Sequence, residues 1–247
     1  MTKLKKQETA ITLERPDFLK NDDPNAGNEN LTHEDITIPR IGIIQNQSPQ
    51  RIKSNSKYIE GAEEGMIFNS VSNKTYGNEV LLVPANFEVS YLIFKKRIQG
   101  GGFYGAYSTH NEASARLQEI VKETESSINQ FEIQQVNNHY GVIVADGQAE
   151  NVCLSLSSTG LKVSRQLNTL VKMAGGSRFS RCYKLETVLE SNSKGDFYIY
   201  KVSPAGYPTE EIYNQAKEVY ELTKNSFNGE HEVKNTDIET DTGEVPF

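Results

Sequence analysis

Lys95, Lys96 and Arg97, then Gly100, Gly101 and Gly102, then Phe103, Tyr104 and Tyr107 follow one another within thirteen residues. Three cations, a pliable glycine turn and three flat rings are what contact with a single nucleic-acid strand requires: charge tracks the phosphates, and each base offers a π face worth roughly 1–3 kcal/mol in stacking. The same residues also fit a plain hairpin whose aromatics return to the core, where rings are more often found. A second set lies between Gly160 and Leu185, a stretch with no acid that carries Lys162, Arg165, Lys172, Arg178, Arg181 and Lys184. Solvated helix faces usually mix signs, so this run is either an anion-binding surface or a face that tolerates its own repulsion. Tyr198 and Tyr200 share one face of a later strand and complete the candidate DNA contacts.

Other chemistries lack their residues. No GxxxxGK[ST] loop occurs, since Gly100–Gly102 has neither the following lysine nor a helix, and there is no HExxH, GxSxG or compact carboxylate pair. Four scattered histidines and two distant cysteines, Cys153 and Cys182, show no metal-ligand spacing. The expectation is a protein that is not an enzyme and has no cofactor or metal.

The elements that must hold these residues are mostly short strands. Phe87, Val89, Tyr91 and Ile93 alternate with Glu88, Ser90 and Leu92, a period-2 strand leading into the cations. Val80–Val83, Met66–Val71 with a hairpin at Asn73–Gly77, and Ile36–Ile44, which Pro39 confines to a sheet edge or bulge, read as strands before it. Arg40 in that first strand could face solvent or a ligand. Asn111 to about Ile133 turns polar and Glu-rich, predicting one helix or an ordered insertion. His139–Asp146 and Asn151–Ser157 form a pair across Gly147, and Tyr183–Ser191 and Asp196–Val202 another across Asn192–Gly195. Gly160–Ala174 is the clearest helix, with Val163, Leu167, Leu170, Val171 and Ala174 on one face and the cations opposite. Pro208–Thr223 is a last amphipathic helix.

Composition then divides the chain. Of 33 acids six fall in residues 230–247 against one lysine, giving that segment −5 of the net −7. Hydrophobic residues make up only 36% and tryptophan is absent, so part of the length is not core. There is no apolar run of eighteen residues and no secretory start, which predicts a cytoplasmic protein, in the host cytoplasm if phage-encoded, without membrane contact. We expect a flexible arm over 1–35, a DNA-binding body over 36–205, a C-terminal helix over 206–228 and a disordered acidic tail over 229–247.

That tail closes on Glu244-Val245-Pro246-Phe247, which resembles the Asp-Ile-Pro-Phe tip of bacterial single-stranded DNA-binding proteins. IPRIGIIQ (Ile38–Gln45), IEGAEEGMIFNSVSN (Ile59–Asn73) and FKKRIQGGG (Phe94–Gly102) are similar to phage proteins assigned the same role. The resemblance implies an OB-fold-like antiparallel barrel, mainly β with a few helices (α+β). It also implies a protein that coats exposed single strands during phage DNA replication and recombination and recruits a polymerase, helicase or primase through Asp241, Glu244, Val245, Pro246 and Phe247. Homo-oligomerisation is compatible with it. The bacterial members place tryptophans on DNA; here stacking would rest on Phe103, Tyr104, Tyr107, Tyr198 or Tyr200. A phage structural or capsid-associated protein without strand binding is the competing expectation.

Overall fold

The computed structural model describes residues 23, 26–30, 37–193 and 195–224. The expected acidic tail, with Asp241, Glu244, Val245, Pro246 and Phe247, lies outside the described residues, as does most of the expected arm. The chain divides into two compact units, Met1–Thr37 and Ile38–Phe247. Every strand and helix described belongs to the second: β1 (Arg40–Ile43), β2 (Ile67–Asn69), β3 (Glu79–Lys95), β4 (Phe103–Tyr107), α1 (His110–Glu123), β5 (Phe131–Ala145), β6 (Gln148–Ser157), α2 (Gly160–Ala174), β7 (Cys182–Asn192), β8 (Gly195–Gly206) and α3 (Glu210–Thr223). The strands form one sheet in the order β2-β1-β6-β5-β3-β7-β8, with β4 also paired to β3. Its pairings are antiparallel except β1 with β6. The sheet curls into a half-barrel, so the fold is mainly β with three helices and is compatible with an OB-like α+β arrangement.

β3 is the spine. Two runs that read separately in sequence, Val80–Val83 and the stretch from Phe87, are one strand of 17 residues. Pro84 marks the join: it has no N–H to give the ladder, and the register with β5 shifts between Pro84 and Asn86. Gly141 stands opposite Pro84, where a Cβ would come within 2.4 Å of the Val83 carbonyl oxygen, so only glycine lets the two backbones approach this closely. Pro39 likewise precedes its strand. β1 is internal, between β2 and β6, and not the edge that the proline suggested; the Pro39 carbonyl still accepts from the Cys153 N–H at 2.8 Å.

The ends of the curled sheet are joined by side chains. The Gln45 amide, just after β1, accepts from the Tyr198 N–H (2.9 Å) and donates to the Tyr198 carbonyl (2.8 Å), pairing with β8 as a strand's peptide unit would. Thr187 of β7 donates to the Gly65 carbonyl at 2.6 Å, and the Tyr198 ring lies over Gly65, where any Cβ would meet it at 2.6 Å.

Side-chain alternation sends Leu82 and Ile143 to one face and Val83 and Val142 to the other. On the first face they join Ile41, Ile43, Leu154, Leu156, Tyr183, Leu185, Tyr200 and Val202 around Val163 and Leu167 of α2. On the second, α3 packs Ala216 and Val219 against Val83, Ala85, Val142 and Phe179. α1 buries Ala113, Leu117 and Ile120 against Ile93 and Phe131 at the far end of β3 and β5. Thr109 starts α1 through a capping box with Glu112. α3 begins at Glu210 behind the cap Thr209, two residues later than Pro208 suggested.

Candidate nucleic-acid interface

The β3–β4 connection is tied down by its backbone: Lys95 N–H donates to the Gly102 carbonyl and Lys96 N–H to the Gln130 carbonyl, both at 2.8 Å. Lys96, Arg97, Ile98 and Gln99 are left on the exposed turn, and Ile98 is 84% exposed. The Lys95 ammonium lies 5.9 Å from the Phe131 ring centroid. The aromatics after the turn are engaged. Tyr104 meets Phe131 edge-on at 5.2 Å, Phe103 meets Phe94 at 5.5 Å, and Tyr107 donates to the Tyr104 carbonyl at 3.2 Å. Tyr104 and Tyr107 pack on the α1 cluster, and burial raises the Tyr107 phenol above its usual range. All three rings are half-buried, so each keeps part of its surface in solvent.

On α2, Lys162, Arg165 and Lys172 are exposed, opposite the buried Val163, Ser164 and Leu167. Ala174, expected on the packed face, is exposed because the helix is leaving the sheet there. Among the described residues none of Lys95, Lys96, Arg97, Lys162, Arg165 or Lys172 has a carboxylate within 4.0 Å. Other cations are paired: Lys184 and Lys201 share Glu186 at 2.7 and 3.0 Å, Arg116 holds Glu119 and Glu123, and Lys74 holds Glu150, whereas among the described residues Lys53, Lys122 and Lys217 likewise have no carboxylate partner. A groove of about 270 Å³ lies between β5 and the start of α2. It is lined by Glu132, Ile133, Gln134, Gln135, Ser158 and Leu161. Lys162 follows Leu161 on one wall, while Lys95 is the register partner of Phe131, next to Glu132 on the other.

Three expected contact residues, Tyr198, Tyr200 and Arg178, are turned inward. Tyr200 is 7% exposed and Tyr198 packs on the same cluster, because their shared face of β8 is the one that meets α2. Arg178 is half-buried, with its guanidinium 5.5 Å from the Phe87 centroid; it donates to His139 Nδ1 (2.7 Å) and Asn168 Oδ1 (2.9 Å). Burial lowers its pKa to about 10. A guanidinium can only donate, so His139 Nδ1 is unprotonated and Nε2–H donates to Ser164 Oγ at 2.8 Å. Burial and the neighbouring Arg178 push the His139 pKa down to about 3. The Ser164–His139 pair thus has a cation where a hydrolytic triad has a carboxylate, and both members are fully buried. Arg40 also turns inward, its guanidinium donating to Ser155 Oγ and to Asn138 Oδ1.

Arg181 remains at the surface and has a partner that the sequence reading passed over. Its guanidinium stacks 4.7 Å above the Tyr207 ring and donates to the Tyr207 hydroxyl at 2.8 Å. The available signal was Gly206-Tyr207-Pro208, a ring held between a glycine and a proline in a connection too short to bury it.

A family model described as Pam3 phage gp34-like protein matches residues 5–227. No curated protein and no solved structure matches the chain.

Proposed function

Because the chain belongs to the Pam3 phage gp34-like protein family, and is on that ground a phage protein, we propose that it binds single-stranded DNA exposed during phage replication or recombination. The observation that carries this reading is the set of exposed cations on the β3–β4 turn (Lys96, Arg97) and on one face of α2 (Lys162, Arg165, Lys172) that have no carboxylate partner among the described residues. A surface that repels itself is stabilised when phosphates replace the missing carboxylates, and the counterions released make such binding fall steeply with salt. Recruitment of replication proteins by Asp241 and Glu244–Phe247 belongs to the same reading and rests on sequence alone.

The test is a titration of labelled oligo-dT at 50 and 200 mM salt with the full chain. Affinity should fall at least tenfold between the two, and the double reversal Arg165→Glu, Lys172→Glu should weaken binding at 50 mM with the melting temperature unchanged, since both side chains are solvated. Absence of binding at 50 mM sinks the proposal and leaves the structural-protein alternative.

A further inference from the structure

The rings expected to stack on bases are largely committed to packing, and the most exposed ring among the described residues is Tyr207, at 73%. Its position is fixed. Gly206, before it, pairs with Cys182 at the end of the β7–β8 ladder, and Pro208 and the α3 cap Thr209 follow. Arg181 covers one face of the ring at 4.7 Å and holds the hydroxyl at 2.8 Å. A tyrosine that only braced the chain would bury its ring. Here one face is occupied by a cation and most of the ring's surface is in water, an arrangement that loses little side-chain entropy when a flat partner arrives.

Charges of both signs surround the ring: Arg181 lies against it, and Glu210 and Glu211 open α3 three and four residues further on. The turn Arg178–Ser180, which precedes Arg181, follows the end of α2 and is closed by Ser180 Oγ donating to the Ser177 carbonyl at 2.7 Å. Lys172 and the 77%-exposed Met173 occupy that end of α2. From Lys162 to Lys172 the helix rises roughly 15 Å, and Lys172 stands at the end from which the chain runs on through Arg178–Ser180 to Arg181.

Resting on the strand-binding reading above, we infer that Tyr207, backed by Arg181, is a stacking platform for an unpaired nucleobase. Arg181 both orients the ring and places a positive charge beside the phosphate of the stacked nucleotide.

The absence of tryptophan in the chain provides a direct probe. In the full-length Y207W protein the single indole should be quenched by oligo-dT, and left unquenched by an abasic oligomer of the same length, which offers phosphates without bases. Tyr207→Ala should weaken oligo-dT binding about 5- to 100-fold, with the salt dependence and melting temperature unchanged, and Tyr207→Phe should bind nearly as the native protein does. If Tyr207→Ala binds oligo-dT normally and the Y207W emission does not respond, while binding stays salt-sensitive, the platform is overturned and strand binding stands. A lowered melting temperature with native affinity in Tyr207→Ala marks a bracing role and overturns it equally. If the native protein does not bind oligo-dT at 50 mM salt, both ideas fall together.

Discussion

His139 carries a structural role that its place in the sequence does not reveal. It is fully buried, accepts from Arg178, donates to Ser164, and lies 4.9 Å from the Phe87 ring. Its folded pKa of about 3 lies below the ordinary imidazole value of 6.5, so below pH 6.5 the unfolded chain takes up a proton that the folded chain refuses. The stability that His139 contributes as a neutral group is therefore complete above pH 6.5 and is lost as pH falls toward 3. Two pH units below 6.5 correspond to about 2–3 kcal/mol. Urea unfolding followed by circular dichroism at pH 7.5 and 4.5 should show that gap narrowing between native protein and His139→Gln. Parallel curves at both pH values would mean that the imidazole is hydrated in the folded state. Nothing in the sequence marks the pairing, because His139, Ser164 and Arg178 come from β5, α2 and the turn before β7.

At the scale of elements, periodicity located α2 to the residue and the β7–β8 hairpin to within a few residues, whereas β5 begins at Phe131, eight residues before the His139 where its strand pattern was read. Periodicity divided β3, because Pro84 in a strand is ordinarily a stop. What permits it is the bulge together with Gly141, and that pair makes a prediction. Gly141→Ala pushes a methyl into the Val83 carbonyl, a backbone atom that cannot swing aside. Overpacking of this kind costs about 1–3 kcal/mol, which should lower the melting temperature by several degrees. A melting temperature unchanged in Gly141→Ala would show that β3 and β5 can part at the bulge without loss. The candidate site was partly visible at this scale too. Residue type and the absence of acids revealed the cations of α2 and the β3–β4 turn. Which face of β8 turned inward depended on where α2 docks, so Tyr198 and Tyr200 could be assigned to one face and not to the correct side.

At the scale of the whole molecule, closure of the sheet was beyond sequence reading, because it depends on Gln45 meeting Tyr198 across 153 positions. The distribution of charge was within it. Residues 230–247 hold −5 of the net −7, and the 27 acids and 25 basic residues that remain give the rest of the chain only −2. Being covalently tethered, acids of that charge would compete intramolecularly with phosphates for cations such as Lys162, Arg165 and Lys172. Removing residues 230–247 should therefore tighten oligo-dT binding at 50 mM salt, by about 5-fold if the competition is worth one exposed ion pair. At 0.5 M salt, where the screening length has shrunk to roughly 4 Å, shortened and full-length chains should bind alike. Neutralising the six acids in place with Gln and Asn should reproduce the deletion, since the effect belongs to the charge. Equal affinities of the two chains at 50 mM would remove the tail from the strand's path, whereas tighter binding that persists at 0.5 M would make its contribution steric.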